Sequence, residues 1–167
     1  MDTLKAITTR RSVRSYTDEK FDSKLLIEII SYGFYAPSAH NQQAWKYYII
    51  SKQEDHNFLW EIMDFWKMLP NAWGVILACY DKDMTKSEEF IPQDMWASIQ
   101  NILLAAHEKG IWTVRLWVYP HENVMKTIAH HFNFPPNVVP FALISLWKQN
   151  WEIPEKHLKN EWKIEII

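Results

Sequence analysis

Glycine is scarce in this chain and cysteine nearly absent. Only Gly33, Gly74 and Gly110 are glycine among 167 residues, against a usual share of ~7%. A dinucleotide-binding fingerprint and a phosphate-binding P-loop each need several clustered glycines, so neither of those nucleotide sites is present. The one cysteine, Cys79, sits in an apolar run, which excludes a disulfide framework and a thiolate metal centre. No apolar run approaches the ~20 residues of a membrane span. Met1 to Lys5 lacks the apolar stretch of a signal peptide, so the expected location is the cytoplasm. Charge of one sign is missing too. A net charge of −2 lacks the basic excess of a general nucleic-acid binder.

What the chain has in plenty is aromatic and apolar surface. Its 48% hydrophobic and 15% aromatic residues, ten of them Trp, exclude a solvated, disordered chain. The length suits one domain over residues 1–167 with a core of its own.

Periodicity gives the coarse architecture. Asp2 to Arg10 reads as a short helix capped by Asp2 or Thr3, with Leu4 and Ile7 on its apolar side. Tyr16 to Phe21 is a connector. Asp22 or Ser23 caps a second helix whose stripe is Leu25, Leu26, Ile29, Ile30 and Phe34, ended by Pro37. Trp45 to Ile50 reads as a strand. Glu54 to Met68 is helical, and Val75 to Tyr80 is a buried strand. Lys82 to Ile91 reads as a surface loop, with Asp81-Lys82-Asp83 and Lys86 to Glu89 solvated. Pro92 to Gly110 is a helix with proline in its first turn and glycine at its stop. A strand from Trp112 to Val118, a helix from His121 to Phe132 and a strand from Val138 to Leu146 complete the series. The expectation is an α+β domain: a central mixed sheet of about four strands flanked by helices.

Two polar constellations interrupt these patterns. In Arg10-Arg11-Ser12-Val13-Arg14, three guanidinium groups and a hydroxyl fall where the first helix ends. Guanidinium forks match phosphate oxygens and stay charged; a solvated helix end answering the helix dipole is the plainer alternative. Ala36 to Trp45 gathers Ser38, His40, Asn41, Gln42 and Gln43 between a helix and a strand. Amides offer donors and acceptors together, as a heterocycle with alternating N–H and C=O groups requires. Pro, Ser and Asn are also ordinary turn residues.

Together the two segments resemble the nitroreductase family, through Arg-Arg-Ser-x-Arg and Ala-Pro-Ser-x-x-Asn-x-Gln-x-Trp. Asp94 to His107 resembles that family's long central helix, and Pro135 to Leu143 its last core segment. The resemblance runs over residues 4 to 147, in order. It implies an FMN-dependent oxidoreductase, homodimeric with flavin at the subunit interface. NADH or NADPH would reduce the flavin, and a small electron-poor molecule such as a nitroaromatic or quinone would accept its hydride in a ping-pong cycle. By resemblance, Arg10, Arg11, Ser12 and Arg14 face the phosphate, the ribityl chain and the N1/O2 edge of the ring. Pro37, Ser38, Asn41 and Gln43 meet the isoalloxazine, usually from the other subunit. The backbone of Gly110, Ile111, Trp112 and Thr113 runs beside it, and Lys163, or Lys159, helps with phosphate. No catalytic side chain and no metal is implied, since flavin carries the hydride.

One departure matters. The family's Gly-Leu-Gly is here Gly110-Ile111-Trp112. The indole points into the core, stacks near the ring or narrows its open face; the last option leads to a flavin-binding or storage protein with little turnover. Among the other residues, His130-His131 reads as helix surface and His40 as a solvent-facing loop residue. Trp45, Trp60, Trp66, Trp73 and Trp96 read as core. Trp112, Trp117, Trp147, Trp151 and Trp162 are harder to bury in one small protomer, and an aromatic-rich dimer interface would absorb several of them.

Overall fold

The computed structural model describes residues 2–14, 22–63, 66–151, 154 and 163–165. The expected connector Tyr16 to Phe21, Lys159 and Trp162 lie outside the described residues.

Among the described residues five α-helices and four strands follow in the order α1 (Thr3–Thr9), α2 (Ser23–Ser31), β1 (Trp45–Ile50), α3 (Gln53–Ile62), β2 (Gly74–Asp81), α4 (Ile91–Glu108), β3 (Ile111–Trp117), α5 (Glu122–His131) and β4 (Val138–Lys148). Local chemistry sets the starts. Asp2 accepts from Lys5 N–H at 2.8 Å and Asp22 from Lys24 N–H at 3.0 Å, each satisfying an orphan donor of the first turn. Pro92 occupies the first turn of α4, where its missing N–H costs nothing. Gly110, at φ +70, turns the chain from α4 into β3.

The strands are ordered β1-β2-β4-β3 and every neighbouring pair is antiparallel. The expected mixture of pairings is confined to one isolated parallel bridge, Ser12 to Thr113. Pro140 and Phe141 coincide with a register shift opposite Ala78 and Cys79, a place where a central strand tolerates a residue without an N–H.

All eight residues of β2 are buried, because hydrophobic clusters cover both faces of the sheet. One cluster joins Ile76 and Ala78 to α2 and α4; the other joins Val75 and Leu77 to Leu59 of α3 and Ile128 of α5. That is why the strand reads as an unbroken apolar run rather than an alternation.

The structure corrects several expectations. Helix α3 stops at Ile62 rather than Met68, with Met63 extended. Trp66, Met68 and Leu69 are all buried, and in a continued helix residues 66 and 68 would point to opposite sides. Leu4 and Ile7 stand exposed on α1, which buries Ala6 and Thr9 instead. Phe34 leaves the α2 stripe in a 3-10 turn, Tyr32–Tyr35, and is half-exposed. Trp60 is exposed rather than core, whereas Trp112 and Trp147, directly opposite one another on β3 and β4, are fully buried. Asp81 is not solvated: it is buried and accepts from Asp83 N–H and Asn137 Nδ2. His131 is not plain helix surface either, since its Nε2 lies 2.8 Å from Asp55 Oδ1 and its ring stacks on Phe58 at 3.6 Å. Among the described residues no His, Cys, Asp and Glu group could hold a metal, and no helix is long and apolar enough to cross a membrane.

Candidate functional site

The arginine segment is seated on β3. Val13 N–H donates to Thr113 C=O at 3.2 Å beside the Ser12–Thr113 bridge. The bond from Gln149 N–H to Gly110 C=O fixes the phase of the β3–β4 ladder. Main-chain groups alternate in direction along a strand, so those of Ile111, Thr113 and Arg115 turn toward the edge where Ser12 runs. Below, α1 is held to α4 through Thr9 and His107. The Thr9 hydroxyl donates to Lys5 C=O at 2.6 Å, so the 2.7 Å contact is a donation from His107 Nε2–H to Thr9.

This junction is cationic. Arg11 folds back on its own helix, donating to Thr8 C=O and Arg10 C=O at 2.8 Å each, as the helix-end reading expects. Arg10 and Arg14 make no such contact, and among the described residues neither guanidinium has a carboxylate partner. Burial holds Arg10 below the usual arginine range, and the charges of Arg11 and Arg115 push the same way. His107 is likewise held below the usual histidine range, by burial and then by Arg10.

The amide loop is built with equal care at the other end of α4. His40, Asn41 and Gln43 all take positive φ, at 52, 50 and 47, conformations that cost non-glycine residues roughly 1–2 kcal/mol each. What over-determines them is Gln42, whose side chain is buried between them. Its Nε2 donates to Asp94 Oδ2 at 2.6 Å, and its Oε1 accepts from Lys86 and Ser87 N–H at 3.0 and 3.1 Å. Asp94 Oδ1 also takes Ala39 N–H at 2.9 Å, and Ser38 Oγ takes Gln43 N–H at 3.1 Å. Asn41 and Gln43 are thereby left exposed, their amides uncommitted by any described bond.

The two constellations are anchored toward opposite ends of α4. Asp94 anchors the amide loop and His107 anchors the arginine segment, so thirteen residues of α4 separate them. That is about 20 Å at the α-helical rise, farther than a three-ring system extends.

The Nitroreductase family model matches residues 7–70, which include both constellations. A protein of Archaeoglobus fulgidus, provisionally named an NADH dehydrogenase/NAD(P)H nitroreductase, is 38% identical over 148 residues, covering 86% of this chain and 83% of its own.

The chain belongs to the nitroreductase family.

Solved structures agree on the fold. A provisionally named NADH oxidase of Clostridium acetobutylicum superposes with a TM-score of 0.90 at 30% identity, over 96% of this chain and 98% of that one. A nitroreductase, also provisionally named, from Desulfovibrio desulfuricans, solved in complex with FMN, superposes with a TM-score of 0.82 at 24% identity, over 96% of this chain and 94% of that one.

In this member of the nitroreductase family, Trp112 points into the core. Its indole is 1% exposed and meets Trp151 edge-on at 3.9 Å, on the face of β3 opposite Thr113 and Arg115. Its side chain is buried away from the edge, so the ground for reading it as an obstruction is gone. Lys163 is exposed in the short described stretch 163–165. Gln42, Asp94 and Arg115 escaped the sequence reading as site residues. Asp94 carried one signal, an acidic residue in the first turn of a helix; Gln42 and Arg115 carried none that spacing alone reveals.

Proposed function

We propose that the chain is an FMN-dependent oxidoreductase that moves hydride from NADH or NADPH to electron-poor acceptors such as nitroaromatics and quinones, in a ping-pong cycle on one exposed face. Bound flavin supplies the hydride acceptor and donor in both halves of that cycle. The residues fit the group. Arg10, with Arg11 beside it, offers charge to the phosphate, and Lys163 adds a further cation. Ser12 offers a hydroxyl to the ribityl chain, and Arg14 places positive charge at the N1/O2 edge, where reduction develops negative charge. Within Gly110 to Thr113, the edge-facing main-chain groups of Ile111 and Thr113 lie along the ring.

The observation that carries this reading is the Ser12–Thr113 bridge, which seats unanswered guanidinium groups against an exposed main-chain edge. The distance along α4 supports the other half. Pro37, Ser38, Asn41 and Gln43 reach the same ring only from a second copy, so the acting unit is a homodimer of the single 1–167 domain, in the cytoplasm. Exposed Leu4, Ile7, Ile27, Tyr32 and Tyr35 supply apolar surface for that contact. Tyr32 and Tyr35 line a groove of about 450 Å³ between α1, the Tyr32–Tyr35 turn and α4, and exposed apolar patches mark association surfaces.

The test is anaerobic titration of the FMN-loaded protein with NADH and with NADPH. Bleaching of the flavin by either, and its return on adding a quinone, is expected. A flavin that stays oxidised under an excess of both nucleotides refutes the reductase reading.

A further inference from the structure

Arg115, in the middle of β3, is a charged residue in an unusual setting. Its guanidinium carbon lies 4.2 Å from the centre of the Trp96 ring on α4 and 4.6 Å from that of Trp117 on its own strand. The two indoles, themselves 5.0 Å apart, therefore lie together against one side of the guanidinium. Such contacts stabilise the cation without taking any of the five N–H donors on its rim. Among the described residues that rim has no carboxylate, carbonyl or hydroxyl partner, although the side chain is half-buried. Trp96 is itself braced by Trp117 at 5.0 Å and Phe141 at 4.7 Å, so the guanidinium is held in place before any ligand arrives.

The neighbours of Arg115 are cations. Two positions along from the Ser12–Thr113 bridge stand Arg14 on one segment and Arg115 on the other. Arg115 is also one of the charges that bear on Arg10. Like charges brought close together are destabilising, and among the described residues no carboxylate pairs with Arg10, Arg14 or Arg115. A dianion with several acceptor oxygens relieves both the repulsion and the unmatched donors; a neutral acceptor relieves only the second.

We propose that Arg115 is a phosphate-binding residue, whose fixed guanidinium rim closes with Arg10 on the phosphate oxygens of the flavin mononucleotide or of the nicotinamide dinucleotide. This rests on the flavin reading above and adds a ligand to it.

The test compares wild type with Arg115→Met, whose straight side chain still packs against the two indoles, and Arg115→Lys, which keeps the charge. Dissociation constants for FMN and for riboflavin are measured on flavin-stripped protein, together with KM for NADH and NADPH. A charge-assisted contact predicts about ten- to hundredfold weaker FMN binding in Arg115→Met. Riboflavin binding stays unchanged, and Arg115→Lys recovers part of the loss; that result assigns the flavin phosphate. Unchanged flavin constants with a raised KM for either nucleotide assign the dinucleotide phosphates. No change in any of these overturns the proposal, as does an equal loss of FMN and riboflavin or a shift in the monomer–dimer balance alone. If wild type binds neither flavin, the functional reading fails, and Arg115 is judged by inorganic phosphate: a phosphate-induced rise in Tm in wild type must then disappear in Arg115→Met.

Discussion

Replacing Gln42 with alanine should unlatch the amide loop without unfolding the protein. The side chain makes one charge-assisted bond to Asp94, at 2.6 Å, and accepts two main-chain N–H groups, from Lys86 and Ser87. The first is worth about 1.5–3 kcal/mol, and each of the others about 1 kcal/mol. Against this, the three left-handed residues His40, Asn41 and Gln43 hold roughly 1–2 kcal/mol each of conformational cost. Clamp and strain are of similar size, so removing the clamp lets residues 38–43 relax and frees the 85–88 turn that hangs on the same amide. A loss of about 3 kcal/mol in local opening free energy raises amide exchange there more than a hundredfold. Hydrogen exchange of the full chain reads this directly. Segments 38–43 and 85–88 should speed up together, while β2 and β4 keep their protection. Wild-type rates in those two segments, or equal acceleration across the sheet, would refute the reasoning.

Three further outcomes follow from the packing. Gly33→Ala places a Cβ 2.9 Å from both Ile102 Cδ1 and Ser98 Oγ; overpacking of this kind costs about 1–3 kcal/mol, visible as a lower Tm and urea midpoint. Burial, and behind it the charge of Arg10, holds His107 below its usual 6.5. The unfolded chain binds a proton near that value and the native state resists it, so His107 leaves stability unchanged above it and lowers stability as pH falls from there toward the native pKa. Urea titrations at pH 7.5 and about 5.5 should show a smaller acid loss in His107→Gln, and equal losses would count against it. Ile7→Glu with Tyr35→Glu charges the exposed apolar side of α1 and the turn, and should yield a monomer by sedimentation that no longer retains flavin. A dimer that keeps its flavin would place the association surface elsewhere.

Regular elements were legible wherever one signal governed them. Strand β1 was found residue for residue, and β2, β3 and β4 within a residue or two, because β-branched and aromatic runs between turn residues leave few alternatives. The caps at Asp2 and Asp22 were equally local. Failures came where burial depended on what lay across the fold. Leu4 and Ile7 have the spacing of a buried stripe but face outward, and Trp112 is core because Trp147 stands opposite it.

The sequence by itself determined the chemistry available: clustered guanidinium groups and an amide-rich loop. Those are properties of residue type and short spacing, which no fold alters. Only the tertiary structure decided how that chemistry is arranged. Pairing in the sheet set Ser12 against Thr113, the length of α4 put the anchors of the two constellations toward its opposite ends, and contact with Trp96 and Trp117 fixed Arg115. Contacts between residues far apart in the chain follow from the register of strands and the packing of helices, and neither is encoded in any short stretch of residues.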